Sequence, residues 1–203
     1  MSESEKSPLE RCALIIVDMQ NDFCEGGALP ANGGNQTGHD IANYLRVRHE
    51  SYQLILTTQD WHVAPGAHFS EEPDFRDSWP PHCRAGTTGA DFHPALKNLV
   101  EDLSDAQIRK GMHSAAYSAF EGEHPDGMLM REFLTSQEIR QLDIVGLCTD
   151  YCVAATALHS AQFGFRTRVL IDLTSGVSAD TTETAIRKMR AAGVEILGSM
   201  RES

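Results

Sequence analysis

The chain lacks an apolar run that approaches the roughly 20 residues of a membrane span. It also lacks a basic excess: 17 Lys and Arg stand against 29 Asp and Glu, a formal net charge of −12. Nucleic acid and anionic lipid both require a positive face, so neither is expected as a partner. The opening MSESEKSPLE has no apolar h-region, which argues against a secretory signal and for a disordered lead-in over residues 1–10. Cysteine is sparse. Five residues (Cys12, Cys24, Cys83, Cys148 and Cys152) are odd in number and irregularly spaced, which excludes a disulfide framework and predicts reduced thiols in a cytoplasmic protein. No internal repeat and no low-complexity tract interrupts the sequence. What is there is ordinary globular composition, 41% hydrophobic and 23% charged over 203 residues, enough for one domain with a sizeable core, expected over 11–203. A homo-oligomer stays open.

Hydrophobic patterning predicts alternating strands and helices. CALIIVD (12–18) and YQLILTTQD (52–60) are β-rich apolar runs, each ending in an acid. AQIRKG (106–111), QLDIVGL (141–147), RTRVLIDL (166–173) and VEILG (194–198) read as further strands, while 37–50, 150–164 and 178–193 have helical spacing. Strands that are apolar on both faces belong in a mainly parallel sheet covered by helices, an α/β fold. Sites in such sheets form beyond the carboxyl ends of the strands, which is where Asp18, Asp60 and the Cys148–Cys152 segment fall. Residues 60–106 break the pattern: they are rich in Pro, Gly, His and Trp, and hold four of the nine histidines. A long irregular stretch in a compact domain is usually functional.

In an extended TTQDWH, Asp60 and His62 point the same way. With His82 in the Pro-stiffened WPPHC turn they form an adequate ligand set for Zn, Fe or Mn; the competing reading is a solvated acid and two surface histidines. His68 is a further ligand or a pocket wall. Cys152 falls about two residues into a predicted helix, with Thr149 or Asp150 as its cap. Free N–H groups and the positive helix end there favour a nucleophilic thiolate and an oxyanion site, against the commoner fate of a small buried residue. Cys148 reads as structural, its backbone N–H being the useful part. Asp18 is either a general base beside the thiol or a turn cap. Lys110 either stabilises negative charge at the site or reaches solvent. An acid, a base and a thiol at one sheet edge match the general pattern of an activated nucleophile.

Taken in order, LIIVDMQNDFCEGGALP, TTQDWH, WPPHC, RKG before YSAFEG, VGLCTDYCVAATALHSAQFGFRTRVLIDLTSGV and MRAAGVEIL resemble the nicotinamidase/pyrazinamidase branch of the isochorismatase-like cysteine hydrolases. The resemblance spans almost the whole chain after the first ten residues. It implies a three-layer α/β/α fold and a triad of Asp18, Lys110 and Cys152. It also implies a divalent metal on Asp60, His62 and His82 with His68 variably involved, and an aromatic pocket from Phe23, Trp79 and Tyr117. The oxyanion hole would be the backbone N–H groups of Cys148 and Cys152, with a cis peptide bond entering Cys148. The implied reaction takes nicotinamide, or pyrazinamide, to the free acid and ammonia through a Cys thioester. Cys148 departs from the small aliphatic residue common at its position. The rivals are a ureidoacrylate, carbamoyl-amide or isochorismate hydrolase on the same fold, whose relatives generally lack the DWH…WPPHC set, and a non-enzymatic thiol/metal sensor.

Overall fold

The computed structural model describes residues 11–124 and 126–200, so the expected lead-in at 1–10 lies outside the described residues. Six strands form one sheet: β1 (Cys12–Val17), β2 (Leu54–Asp60), β3 (Ala106–Lys110), β4 (Gln141–Leu147), β5 (Arg166–Ser175) and β6 (Glu195–Leu197). Their order is β3-β2-β1-β4-β5-β6 and every neighbouring pair is parallel.

All residues of β1, β2 and β4 are buried, the reason their sequences read as unbroken apolar runs. Side-chain alternation divides them between two cores. Ala13, Ile15, Val17, Leu56 and Ile144 face α3 (Met130–Ser136), α4 (Ala154–Gln162) and α5 (Ala179–Ala191). Leu14, Ile16, Ile55 and Val145 face α1 (Gly34–Arg48) and α2 (Pro94–Leu103). Each fully buried Leu or Ile removes enough apolar surface to stabilise the fold by about 1.5–3 kcal/mol. The result is the expected three-layer α/β/α sandwich.

Two helices depart from the sequence expectations. α2 lies inside the stretch read as irregular, and α3 in a segment given no element. In α2, Pro94 occupies the first turn, the His93 ring accepts a hydrogen bond from Ala95 N, and Leu96 and Val100 bury one face. The helix expected at 37–50 begins earlier, at Gly34, and ends at Arg48. Gly164, expected to end α4, follows that helix with a left-handed φ of 86°.

Strand order reverses between β1 and β4, so these two central strands flank the topological switch point. They approach closely. Gly146 has φ of 116°, and a Cβ there would lie 2.0 Å from Val17 O, so only glycine fits. The Leu147–Cys148 peptide that follows is cis.

Candidate active site

The ends of β1, β2 and β3 deliver Asp18, Asp60 and Lys110 to one rim, with Asp60 and Lys110 paired in register. Lys110 is 1% exposed, a large cost for an ammonium unless it is paired. Its three N–H groups are all committed: to Asp60 Oδ1 at 2.5 Å, Ala116 O at 3.0 Å and Cys152 Sγ at 3.6 Å. Asp18 Oδ2, 2.9 Å from Nζ, therefore receives charge but no aligned hydrogen bond, and has no hydrogen-bond partner. Its other oxygen accepts from Thr58 Oγ1 at 2.6 Å. One carboxylate oxygen each of Asp18 and Asp60 and the Cys152 sulfur all lie within 4.8 Å of one another.

Burial pushes the Asp18 carboxyl above its ordinary value, against the pull of Lys110. Asp60 goes the other way: burial alone would raise it, but Lys110 and His62 hold it below the usual carboxylate range. Burial also raises the Cys152 thiol well above 9.0, and Lys110 only partly opposes this. This corrects the expectation of a thiolate made by the helix end. The resting sulfur keeps its proton, and a carboxylate oxygen of Asp18 lies within 4.8 Å of it.

The cap expected for the Cys152 helix is also corrected. A π-helical turn, Thr149–Val153, leads into α4 without any side-chain cap. Thr149 Oγ1 instead donates to Thr174 Oγ1 at 2.8 Å. Asp150 accepts from Val177 N and Thr181 Oγ1, which ties the β5–α5 loop to the site.

Beside Asp60, three buried imidazoles converge. Imidazole nitrogens of His62, His68 and His82, one from each, lie within 4.8 Å of one another, and the Nε2 atoms of His62 and His82 sit 3.7 and 3.9 Å from Asp60 Oδ2. This burial rules out the solvated-acid reading. His62 Nδ1 and His82 Nδ1 face the carbonyls of Gly111 and Pro80 at 2.7 and 2.8 Å. A carbonyl accepts only, so both rings carry hydrogen on Nδ1 and turn an Nε2 lone pair inward. His62 Nε2 and His68 Nδ1 have no partner, at a cost of about 1–3 kcal/mol each if left so. Burial, with the neighbouring imidazoles, lowers the His68 pKa to about 4, so it is neutral near pH 7. Four donors from imidazole and carboxylate, with buried nitrogens unpartnered, fit a divalent metal. His68, named from sequence only as a further candidate, belongs to this group.

A cavity of about 420 Å³, its mouth included, opens between the thiol and the histidines. Phe23, Trp79 and Tyr117 line it as expected. So do Tyr151, Leu29 and Val177, which the sequence reading did not assign; the aromatic residue directly preceding the candidate nucleophile was the available signal. Trp79 Nε1 donates to Tyr117 OH at 3.0 Å and its ring meets Tyr151 edge-on at 5.0 Å, so the walls brace one another. All five cysteines are free and buried.

Comparison with known proteins agrees with this geometry. The Isochorismatase domain matches residues 12–200. A nicotinamidase/pyrazinamidase of Mycobacterium tuberculosis is 47% identical over 187 residues, covering 92% of this chain and 98% of the relative. An Escherichia coli nicotinamidase is 34% identical over 91% of this chain and 93% of its own. Pyrococcus horikoshii pyrazinamidase, solved in complex with zinc, superposes with a TM-score of 0.77 at 35% identity, covering 93% of this chain and 99% of that one. PnC1 from L. infantum, solved in complex with nicotinate, gives 0.78 at 30% identity, covering 95% of this chain and 94% of that one. A parallel sheet with its charged groups at the switch point, matched along nearly its whole length, leaves one assignment: the chain belongs to the isochorismatase family, in its nicotinamidase/pyrazinamidase branch.

Proposed function

We propose that this chain hydrolyses nicotinamide, and its analogue pyrazinamide, to the free acid and ammonia, with Asp18, Lys110 and Cys152 as its catalytic residues. One observation carries the reading: the buried Cys152 thiol, backed by Lys110 and, through it, Asp18, lines an aromatic-walled cavity whose lining also includes Asp60, His68 and His82. Names of the relatives support the substrate: nicotinamidase, pyrazinamidase, and a bound nicotinate. The family match over residues 12–200 supports reading the chain from residue 11 onward as one catalytic domain. No described helix is long and apolar enough to cross a membrane, and with five free thiols this supports a cytoplasmic protein.

Asp18 Oδ2 takes the Cys152 proton. The thiolate attacks the carboxamide carbon, and the backbone N–H groups of Cys148 and Cys152 hold the resulting oxyanion, helped by Lys110. Asp18 returns the proton to the departing nitrogen. Ammonia leaves, and the acyl group stays on sulfur as a thioester. Asp18 then deprotonates a water that attacks this thioester, and the thiol is regenerated as the acid is released. Phe23, Trp79 and Tyr117 hold the ring and exclude water. Asp60, His62 and His82, with His68, would hold a divalent cation, which when bound would supply Lewis acidity to that side of the cavity. Zn, Fe and Mn all suit these donors; the zinc in the P. horikoshii relative favours zinc.

Ammonia release from nicotinamide, followed with and without a chelator, tests the activity, and Cys152→Ala tests the nucleophile. The variant should retain no more than a trace. Turnover above that refutes the thioester route. Full turnover by protein shown to hold no metal removes the metal from the reading, and metal-free protein with no turnover of nicotinamide favours the ureidoacrylate, carbamoyl-amide or isochorismate hydrolases.

A further inference from the structure

The proposed ligands His62 and His82 sit on separate loop segments, and a single residue joins them. Cys83, next to His82, has a left-handed φ of 43°, a conformation a non-glycine residue adopts only when its surroundings hold it. Its carbonyl accepts from His62 N at 3.0 Å, and Ala85 N in turn donates to His62 O at 2.9 Å. Its amide donates to Asp22 Oδ2 at 2.7 Å, a charge-assisted bond. The peptide units on either side of Cys83 Cα thus fix where both histidines begin, and Asp22 fixes the amide.

Asp22 is itself held. Its Oδ1 accepts from Ala28 N at 3.2 Å, and its carboxylate lies flat against Gly89, where a Cβ would come within 2.2 Å of Oδ2. The preceding residue, Asn21, donates to Thr88 O at 2.7 Å, and the following one, Phe23, packs its ring 5.4 Å from that of His82.

We propose that Asp22 is a positioning residue of the metal centre: through the Cys83 amide it holds His82 and the His62 backbone in place for a divalent cation. This rests on the reading of Asp60, His62, His68 and His82 as metal ligands. Residues that orient ligands without touching the metal contribute about 10- to 100-fold to affinity, and Asp22 is placed to supply a factor of that size.

The test is zinc titration of the full-length protein against a chromophoric chelator. Asp22→Ala should bind zinc about 10- to 100-fold more weakly than the wild type. Asp22→Asn keeps one acceptor oxygen and should fall between them. Gly89→Ala provides an independent lever, because its methyl group displaces the carboxylate. It should also weaken binding, yet add nothing in the Asp22→Ala background, where there is no carboxylate to displace. Should Asp22→Ala fail to fold, Asp22→Asn and Gly89→Ala carry the test. Wild-type affinity in a folded Asp22→Ala, or fully additive losses in the double variant, would overturn the positioning role alone. A wild-type chain that binds no zinc, iron or manganese overturns the metal centre and this inference together.

Discussion

Replacing Lys110 with methionine keeps most of the side-chain volume and removes the charge. In the native structure that charge faces two carboxylates at 2.5 and 2.9 Å, and its N–H also satisfies Ala116 O. The variant leaves Asp18 and Asp60 buried with no cation between them. Breaking a buried pair from one side costs about 3–5 kcal/mol, because the remaining charge is uncompensated. For a chain of this length about 1 kcal/mol corresponds to 2–4 °C, so Tm should fall by roughly 6–20 °C. The comparison belongs in chelator, since a cation on Asp60 would hide part of the loss, and urea unfolding with an unchanged m-value gives the free energy directly. The penalty must also depend on pH. Without Lys110 the folded carboxyls hold protons more tightly than the unfolded ones, whose ordinary value is 3.8. Protons are then released on unfolding, so the variant loses stability as pH rises from about 4, and the gap to wild type is wider at pH 8 than at pH 5. A loss below about 1 kcal/mol at pH 8, which is the range of exposed ion pairs, would refute the picture of one buried ammonium shared by two acids.

Three other outcomes follow from the same coordinates. Adding zinc to chelator-treated protein should raise Tm, by about 4 kcal/mol of stabilisation at a thousandfold excess over Kd, because the unpartnered His62 Nε2 and His68 Nδ1 gain a ligand; an unchanged Tm contradicts the site. Asp74 Oδ1 accepts from the amides of Arg76, Asp77 and Ser78 at 3.0, 2.9 and 2.9 Å, closing the exposed turn before Trp79. Asp74→Ala should therefore raise KM for nicotinamide severalfold with little change in Tm, read from steady-state kinetics and a thermal melt. Burial pushes the Cys12 and Cys24 thiols up to about 12 from 9.0, so mass spectrometry should find both unalkylated by iodoacetamide at pH 8 in folded protein. Because the folded state binds those protons more tightly, their contribution to stability is complete below pH 9 and is lost as pH climbs toward 12.

The strands were legible because parallel strands covered on both faces need uninterrupted apolar sequence, and CALIIVD and QLDIVGL have no other use for it. Asp60 and His62 were legible for a similar reason: alternation alone turns both toward one point. α2 was hidden by its context, a short helix following a stretch dominated by Pro, Gly and His. The protonated state of Cys152 was out of reach because it depends on burial, and no local pattern reveals how much water a helix end keeps. Nor did spacing show that Lys110 bonds Asp60 as well as facing Asp18, since the pairing arises from the β2–β3 register. Asp22 went unassigned because what it binds is a backbone amide 61 residues away, a partner with no signature in sequence.

The position of the site at the junction of β1 and β4 has a consequence for biosynthesis. Asp18 and Cys152 come from distant parts of the chain and meet only when those two strands dock side by side. A polypeptide still emerging from the ribosome, or one cut between its halves, carries an unremarkable cysteine with no acid beside it. The two side chains therefore become neighbours only once β1 and β4 have paired.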